Sequence, residues 1–447
     1  MRRILTLFLC LCRRARYFTE VIITKNLFDK TQRAVCALVS VVPKGADESE
    51  YEASLCELER LADTAGADVY AKMVQQKENP DPATYIGSGK LEELKALCDG
   101  GDVSTVIFDC ELSPSQIKNI EDVLGDKISV IDRSMLILDI FALHAQSAEG
   151  KLQVELAQLK YTVPRLVGKG TELSRLGGGI GTRGPGESQL ETDRRHVKRR
   201  MDALEAELRE LVSNRETQRA ARDRSGIFKF AIAGYTNAGK STLLNYLTGA
   251  GILAEDKLFA TLDPTTRKYE LPSGASVLLT DTVGFIRNLP HHLIKAFRST
   301  LDEVVYADAI LVVIDASDEE AGAQLDVTKG LIDELGAGSK PIIYVCNKCD
   351  VSKSVPLGTH SDDTVFISAK TGEGTDALIS VMEKVVAARR KKVKFNFPLD
   401  KSGLVSRLYS NAGTNVISVD YTESGTVVVA VCDEKTAGQL SEFIIKE

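Results

Sequence analysis

The 447-residue chain has no tryptophan and only five histidines, so the sequence supports neither a metal cluster nor a His-based catalytic site. Its nine cysteines are odd in number and scattered, which indicates reduced cytosolic thiols and not a disulfide framework. The formal net charge of −7 excludes a global basic field, so any contact with nucleic acid must be local. The length is typical of about three domains.

The N-terminal segment, residues 1–25, carries five arginines around the apolar stretch Ile4–Cys12. This stretch is too short to span a bilayer, and it lacks the small-residue cleavage site of a secretory signal. We interpret the segment as a disordered tail or an overlong start, although the lack of acidic residues before Glu20 also suits an organellar presequence. We expect a cytoplasmic protein without stable membrane insertion, with membrane association or an organellar location as alternatives.

Four short motifs follow one another in the second half of the chain, each near the end of an apolar, strand-like run. In order, they are Gly234–Ser241 (Gly-Tyr-Thr-Asn-Ala-Gly-Lys-Ser), Asp281–Gly284 (Asp-Thr-Val-Gly), Asn347–Asp350 (Asn-Lys-Cys-Asp) and Ser368–Lys370 (Ser-Ala-Lys). Any one of them alone is a weak signal. The ordered set predicts a guanine-nucleotide switch.

The first motif has the context that a phosphate-binding loop needs, because it follows the apolar run Phe228–Ala233 and opens a helical pattern at Lys240. Gly234 and Gly239 would let the backbone turn tightly, so that successive N–H groups face phosphate oxygens. We expect Lys240 to hold the β and γ phosphates and the hydroxyl of Ser241 to ligate Mg²⁺. An ordinary glycine-rich turn between a strand and a helix is the alternative.

The second motif predicts the element that senses the γ-phosphate. Asp281 ends the apolar strand Ser276–Thr280, where its carboxylate can reach Mg²⁺ through water. The N–H of Gly284 can bond the γ-phosphate and be released when that phosphate leaves.

The last two motifs predict which base is bound. Asn347 and Asp350 close the strand Ile342–Cys346, and a carboxylate there can accept two bonds from the ring N–H and exocyclic amine of guanine. Adenine offers no matching pair and would leave the carboxylate unpaired, so we expect strong rejection of adenine. The stem of Lys348 would lie along the base, and the N–H of Ala369 would meet the guanine carbonyl oxygen.

The remaining sequence predicts an α/β protein of several domains. We expect a disordered tail over residues 1–25, an N-terminal α/β domain with a parallel sheet over 26–165, a glycine-rich loop and coiled-coil-like helix over 166–225, a P-loop GTPase domain over 226–392 and a small C-terminal α/β domain over 393–447. In the N-terminal domain the pattern predicts strands at Ala34–Val42, Asp68–Gln75 and Ser104–Phe108, and a helix at Glu48–Ala65. The basic run Arg389–Lys392 reads as a linker before the strand, helix, strand, strand and helix of the last domain.

Gly87–Lys90 mimics a phosphate loop without its spacing, so we expect a helix-initiating turn there and not a second nucleotide site.

The stretch Leu176–Gly186 is too rich in glycine to pack as a regular element, and Arg175 and Arg183 accompany it. The apolar spacing after Val197 predicts one arm of a short helical hairpin, whose partner would be the helix around Leu152–Tyr161. Five basic residues crowd the start of this arm: Arg194, Arg195, Lys198, Arg199 and Arg200. They form either a solvated helix face or a surface that contacts RNA phosphates.

Three further stretches carry a resemblance to a known family: Tyr85–Lys90, Gly181–Arg195 and Phe259–Arg267, together with the four motifs. In these the chain resembles the HflX family of translation-factor-class GTPases over nearly its whole length except the first twenty-odd residues. The resemblance implies binding to the large ribosomal subunit and its RNA, with the glycine-rich loop directed toward the peptidyl-transferase region. It also implies a role in rescuing or splitting stalled ribosomes.

The resemblance further implies that Thr261 is the switch threonine that ligates Mg²⁺ with Ser241, although Thr265 and Thr266 are nearby rivals. The position where many small GTPases place a water-orienting glutamine is Phe285, which we expect to be a switch-loop side chain, so that Phe285→Ala leaves GTP binding largely intact. Asn237 could help to hold a monovalent cation, or it could only stabilise the loop.

The expected catalytic residues are Lys240, Thr261, Asp281 and Gly284. The expected nucleotide-binding residues are Gly234, Tyr235, Thr236, Asn237, Ala238, Gly239, Lys240, Ser241, Phe259, Ala260, Thr261, Leu262, Asp263, Asp281, Thr282, Val283, Gly284, Asn347, Lys348, Cys349, Asp350, Ser368, Ala369 and Lys370. We expect a monomeric GTP hydrolase that uses Mg²⁺, binds GTP and GDP, and is stimulated by the large ribosomal subunit. The alternatives are a GTPase that acts on another RNA or protein, and an RNA-remodelling ATPase that binds ATP in its N-terminal domain.

Overall fold

The structure is a computed structural model that describes residues 33–45, 47–164, 189–224, 226–249, 251, 257–352, 363–401, 403–410, 414–422 and 425–445. The predicted tail, residues 1–25, and the glycine-rich loop, residues 176–186, lie outside this range. The chain forms two compact units: residues up to 209 together with 289–296, and residues 210–288 together with 297–447. Within the described residues, none of the helices is long and apolar enough to cross a membrane.

The first unit is built on a four-stranded parallel sheet of order β2-β1-β3-β4. Its strands are β1 (Ala34–Val42), β2 (Ala67–Gln76), β3 (Thr105–Phe108) and β4 (Ser129–Asp132). Its helices are α1 (Glu48–Ala65), α2 (Ser88–Gly100), α3 (Pro114–Leu124), α4 (Arg133–His144), α5 (Ala148–Thr162) and the start of α6 (Gln189–Arg224). The predicted α/β domain with a parallel sheet is confirmed.

Local signals explain why these elements begin and end where they do. The Asp47 side chain accepts a bond from Ser49 N–H at the start of α1, and Gly66 ends that helix in the left-handed region at φ +89°. Ser113 and Gln116 form a reciprocal capping box on α3. Such caps satisfy backbone groups that a helix end leaves unpaired.

The turn at Gly87 begins α2, as predicted, because Gly87 caps the helix in an extended conformation. Its N–H donates to Gln75 Oε1 at 2.9 Å, and Lys90 Nζ lies 2.9 Å from Glu93 Oε1. The Gly87 N–H and the Lys90 ammonium are therefore already engaged within the domain, which weakens the case for a second nucleotide site.

The second unit carries a six-stranded sheet of order β10-β9-β8-β5-β7-β6, parallel except for β6. Its strands are β5 (Phe228–Gly234), β6 (Thr265–Glu270), β7 (Ser276–Asp281), β8 (Ala309–Asp315), β9 (Ile342–Asn347) and β10 (Thr364–Phe366). Its helices are α7 (Lys240–Thr248), α9 (Arg298–Tyr306), α10 (Ala321–Glu334) and α11 (Thr375–Ala388), whereas the short α8 (His291–Ala296) belongs to the first unit. Buried apolar side chains from β5, β7, β8 and β9 form the core between sheet and helices.

A three-stranded antiparallel sheet of order β11-β13-β12 ends the chain. It comprises β11 (Arg390–Phe397), α12 (Gly403–Ser410), β12 (Asn415–Thr422), β13 (Gly425–Asp433) and α13 (Glu434–Gln439), in the predicted order. The prediction of a basic linker was wrong, because Arg390 pairs with Asp433 and Lys392 with Val431 in the ladder between β11 and β13. Backbone pairing thus extends the strand through charged residues that carry no apolar signal.

The helix α6 contacts α5, the partner that the sequence predicted. Arg200 makes a double ion pair with Glu155, at 2.8 and 2.9 Å, and Lys160 lies 2.7 Å from Glu205. The two pairs follow the same order along both helices, whereas the arms of an antiparallel hairpin would pair in opposite order. The prediction of a hairpin is therefore not supported at this contact.

Candidate functional site

The loop between β5 and α7 is shaped by two glycines. Gly234 has φ +147°, and a Cβ there would lie 2.2 Å from the carbonyl oxygen of Val313. Gly239 has φ +97°, and a Cβ there would lie 2.2 Å from Asn347 Nδ2. Any other residue would clash with a neighbouring strand end, so the loop can lie tightly over the carboxyl edge of the sheet only with glycine at both positions.

Lys240 is buried at the start of α7, and its ammonium donates to the carbonyl oxygen of Tyr235 at 2.6 Å. Burial lowers the pKa of Lys240 to about 8, and the nearby Asp281 opposes this change. The ammonium is therefore poorly solvated and lies within the loop that would surround an anion.

Three oxygen-bearing side chains meet beside Lys240. Ser241 Oγ donates to Asp281 Oδ2 at 2.6 Å and lies 2.9 Å from Thr261 Oγ1. Burial raises the pKa of the Asp281 carboxyl, and its Oδ1 has no hydrogen-bond partner among the described residues. Such a cluster of hard oxygens, with one buried oxygen left unsatisfied, fits a cation like Mg²⁺.

The two rival threonines occupy other positions. Thr266 Oγ1 lies 2.9 Å from Thr280 Oγ1, and Thr265 pairs with Asp281 in the ladder between β6 and β7. Among the three threonines, Thr261 is thus the one whose hydroxyl bonds Ser241. The sequence could not decide this, because the three lie within five positions of one another.

The segment after Asp281–Gly284 runs along the loop as a short parallel bridge. Thr236 N–H donates to Phe285 O at 2.8 Å, and Phe285 N–H donates to Gly234 O at 3.1 Å. The Phe285 side chain is only 1% exposed. Our prediction of a switch-loop side chain was wrong for Phe285, because its ring is a core residue and its backbone is tied to the loop.

Gly284 leaves room for this bridge. A Cβ at Gly284 would lie 2.7 Å from Thr236 Cγ2 and 2.9 Å from Lys240 Nζ. Further along, Arg287 N–H donates to the Tyr235 hydroxyl at 2.8 Å. The second motif is thus in direct contact with the first.

Asn347 connects the base-recognition motifs to the loop. Its Nδ2 donates to Ala238 O at 2.8 Å, and its Oδ1 accepts from Ala369 N–H at 2.9 Å. We expected the Ala369 N–H to meet the guanine oxygen, but here it donates to Asn347. A base that uses this N–H would have to share or replace that bond.

Among the other residues of the base-recognition motifs, Lys348 is half-buried. Asp350 and Lys370 are exposed, whereas Cys349 and Ser368 are buried. Cys349 N–H donates to Ile367 O at 3.1 Å, so this residue supports the turn.

One pocket is lined by five residues of the phosphate loop and five from the segments after it: Thr236, Asn237, Gly239, Lys240 and Ser241, with Phe259, Ala260, Thr261, Thr282 and Gly284. Sequence reasoning missed two of its lining residues, Thr242 and Lys257. Lys257 precedes the matched stretch by two positions and carried no motif of its own. Other expected nucleotide-binding residues do not line this pocket: Gly234, Tyr235, Ala238, Leu262, Asp263, Asp281, Val283, Asn347–Asp350 and Ser368–Lys370. Leu262 and Val283 are buried.

Together, the glycine-shaped loop, the oxygen cluster beside Lys240 and the Asn-Lys-Cys-Asp turn on the same sheet edge define a P-loop guanine-nucleotide-binding protein. Comparison with known proteins agrees. Family models described as GTP-binding GTPase N-terminal, GTP-binding GTPase Middle Region, 50S ribosome-binding GTPase and HflX C-terminal domain match residues 52–142, 144–222, 229–348 and 356–442, respectively.

Several similar proteins carry the name GTPase HflX. The one from Caldanaerobacter subterraneus subsp. tengcongensis is 50% identical over 93% of this chain and 94% of that protein. The one from Escherichia coli K12 is 39% identical over 79% of this chain and 84% of that protein. A GTP-binding protein from Sulfolobus solfataricus, solved with GDP, is 28% identical over 79% of this chain and 98% of that chain, with a TM-score of 0.42. The chain belongs to the HflX family of GTPases.

Proposed function

We propose that this HflX-family GTPase binds the large ribosomal subunit and hydrolyses GTP there to rescue or split stalled ribosomes. The observation that carries the proposal is the match of residues 229–348 to a ribosome-binding GTPase model over the same residues that form the pocket. We expect the protein to act as a monomer in the cytoplasm, with the domain limits given above.

The pocket and the Asp281 carboxylate bonded to Ser241 support a division of roles among these residues. Lys240 would neutralise the β and γ phosphates, and Gly284 N–H would bond the γ-phosphate. Ser241 and Thr261 would ligate Mg²⁺, with Asp281 reaching it through water. When bound, Mg²⁺ would supply positive charge to the phosphate oxygens.

The site supports slow hydrolysis by the protein alone. Phe285 stands where a glutamine could orient the attacking water, and its ring is buried in the core. No side chain at that position can therefore guide the water, so we expect the partner to complete the catalytic arrangement.

Base selection would come from the exposed Asp350, whose carboxylate can accept both N–H groups of the guanine edge. Asp350→Asn should weaken GTP and favour xanthosine triphosphate, because an amide can donate where guanine's amine is replaced by an oxygen. Unchanged GTP affinity in that variant would remove the base-contact role.

The helix α6 supports contact with RNA. Arg194, Arg195, Lys198 and Arg199 are exposed on one stretch of this helix, and the neighbouring Arg200 pairs with Glu155. Four adjacent exposed cations provide a local positive surface on a chain with a net negative charge.

The decisive experiment measures GTP hydrolysis with and without purified large ribosomal subunits, and sedimentation of the protein with those subunits. We expect faster hydrolysis and co-sedimentation in the GTP-bound state. Small subunits serve as the control. Hydrolysis that is unchanged by large subunits, with no co-sedimentation, would favour another RNA or protein as the partner.

A further inference from the structure

An ion pair joins the end of β8, which carries none of the four motifs, to the base-recognition turn Asn347–Asp350. Lys348 Nζ lies 2.6 Å from Asp315 Oδ2, and the side chains are 31% and 14% exposed, respectively. Asp315 is the last residue of β8, and no motif in the sequence indicated it. Lys348 lies directly after β9.

The backbone on both sides of this pair is fixed. Asp315 is the register partner of Asn347 in the parallel ladder between β8 and β9, and Ala316 N–H donates to Asn347 O at 2.9 Å. Lys348 has φ +64°, and its carbonyl oxygen accepts from Val351 N–H at 2.9 Å. The Cα atoms of Asp315 and Lys348 therefore cannot drift apart without breaking the sheet edge.

The Asp315 carboxylate is itself oriented by its neighbours. Its Oδ1 accepts from Ser317 N–H at 3.0 Å and from Ser317 Oγ at 2.6 Å. This leaves Oδ2 directed at the Lys348 ammonium. The carboxylate is thus oriented toward Lys348 before any nucleotide binds.

We infer that Asp315 is a positioning residue for guanine-nucleotide binding, because it anchors the Lys348 ammonium and so lays out the side-chain stem for contact with the base face. A free lysine side chain loses much rotamer freedom when it is ordered, and an anchored one has lost it before the ligand arrives. The inference rests on the proposed role of Asn347–Asp350 in base contact. It adds a residue from a different strand to that site.

The competing explanation is an ion pair without function, since partly exposed pairs contribute little to stability. Asp315→Asn separates the two, with the dissociation constant of a fluorescent GDP analogue as the measurement. We expect affinity to fall by about tenfold, the magnitude of ordering one lysine side chain. A change of less than about twofold, close to what a pair without function would give, would overturn the inference.

Asp318→Asn is the matched control. Asp318 carries the same charge three positions away, but its carboxylate bonds Glu320 N–H and Gln324 Nε2. We expect this variant to bind GDP like the natural chain. An equal loss in both variants would mean that net charge near the pocket, not the Lys348 anchor, controls affinity, and would contradict the inference.

A double-mutant cycle tests whether Asp315 acts through Lys348. Lys348→Met keeps an apolar stem but removes the ammonium, so Asp315→Asn should cause no further loss in that background. An undiminished loss there would show that Asp315 acts by another route. If Asp315→Asn fails to fold, Ser317→Ala tests the same inference. This variant removes the hydroxyl that orients the Asp315 carboxylate, so we expect about threefold weaker GDP binding. Unchanged GDP binding would count against the role of Asp315.

Inosine diphosphate separates this inference from the proposed base site. It shares the ring face of GDP but lacks the exocyclic amine. Asp315→Asn should therefore weaken the affinities for GDP and for inosine diphosphate by the same factor, whereas Asp350→Asn should change the ratio of these two affinities. A changed ratio in Asp315→Asn would refute stem positioning. If the natural chain bound guanine and adenine nucleotides equally, the proposed base site itself would fail.

Discussion

At the residue scale, the Asn347 side chain bonds both the phosphate loop and the second base-recognition motif. Asn347 spans 2.8 Å to the loop at Ala238 and 2.9 Å to the turn at Ala369, so one buried amide links the phosphate and base ends of the site. Each such bond to a buried group is costly to leave unmade. Asn347 therefore holds the phosphate loop and the Ser368–Lys370 turn together, in addition to its expected role in base recognition.

We expect Lys240 to make nucleotide affinity dependent on pH. Its pKa is lowered to about 8 by burial, and bound phosphates would raise it again. Since the charged form binds, affinity for GDP should be flat well below pH 8 and should decline as pH rises through 8, approaching about tenfold per unit. Titration of GDP binding between about pH 7 and 9 measures this.

Lys240→Arg is the control for the pH dependence. Its guanidinium does not titrate in this range, so binding should be weaker but nearly independent of pH. A decline of the same steepness in this variant would assign the titration to another group.

Phe285 is almost fully buried, so its truncation should destabilise the protein. Phe285→Ala is expected to lower the free energy of unfolding by about 3–5 kcal/mol, because it leaves a cavity at a side chain that is 1% exposed. Denaturant unfolding measures this. Phe285→Leu keeps most of the apolar volume and should cost less than about 1.5 kcal/mol. Equal stability of Phe285→Ala and the natural chain would place the ring outside the core.

At the element scale, strand ends and one long helix carry the chemistry. The carboxyl ends of β5, β7, β8 and β9 bring Gly234, Asp281, Asp315 and Asn347 to one edge of a sheet, as in other open α/β folds. The helix α6 instead presents a row of charges, some of which are engaged: Arg200 with Glu155 and Arg215 with Glu303.

Neutralising the exposed arginines of α6 should weaken ribosome association in a salt-dependent way. The test variant changes Arg194, Arg195 and Arg199 to Gln. The slope of log ribosome affinity against log salt concentration should become shallower by about 0.7–0.9 for each phosphate contact that is lost. Arg209→Gln is the control, since Arg209 is exposed on the same helix and its Nε donates to Glu205 O. Basal GDP affinity should stay unchanged in all of these variants. An unaltered salt dependence would leave the basic row as a solvated helix face.

At the scale of the whole molecule, the chain passes between its two units more than once. The short helix α8, which follows the second motif by a few residues, belongs to the first unit. There the His292 ring stacks on the Tyr161 ring at 5.2 Å, and His292 Nδ1 lies 3.2 Å from Glu111 Oε1. His292 is therefore partly exposed but held in ring contact with Tyr161.

Ligand binding should stabilise the two units unequally. GDP at about 100 times its dissociation constant adds about 2.7 kcal/mol to the state that binds it. Hydrogen exchange should therefore slow in β5, β8 and β9 of the second unit, and much less in β1–β4 of the first. Asp350→Asn under the same conditions should show a smaller effect. Equal slowing in both sheets would indicate that the units unfold as one.

The sequence alone determined the nature of this protein. Gly234–Ser241 and Asn347–Asp350 are local signals whose residue types follow from the chemistry of phosphate and guanine, so the class of fold and the nucleotide could be read from residue types and spacing. The strand Ala34–Val42 and the helix Glu48–Ala65 were predicted to their ends, because periodicity and capping act over a few residues.

Only the tertiary structure decided which distant residues meet. Three features depend on strand order and register in the six-stranded sheet. Thr261, not Thr266, bonds Ser241; the Phe285 ring is buried; and Asp315 pairs with Lys348. Contacts between residues 20 to 40 positions apart have no periodic signature, because they arise from packing of elements that the chain visits in a different order. The motifs therefore predict which ligand is bound, and the strand order of the sheet determines which distant side chains contact the motif residues.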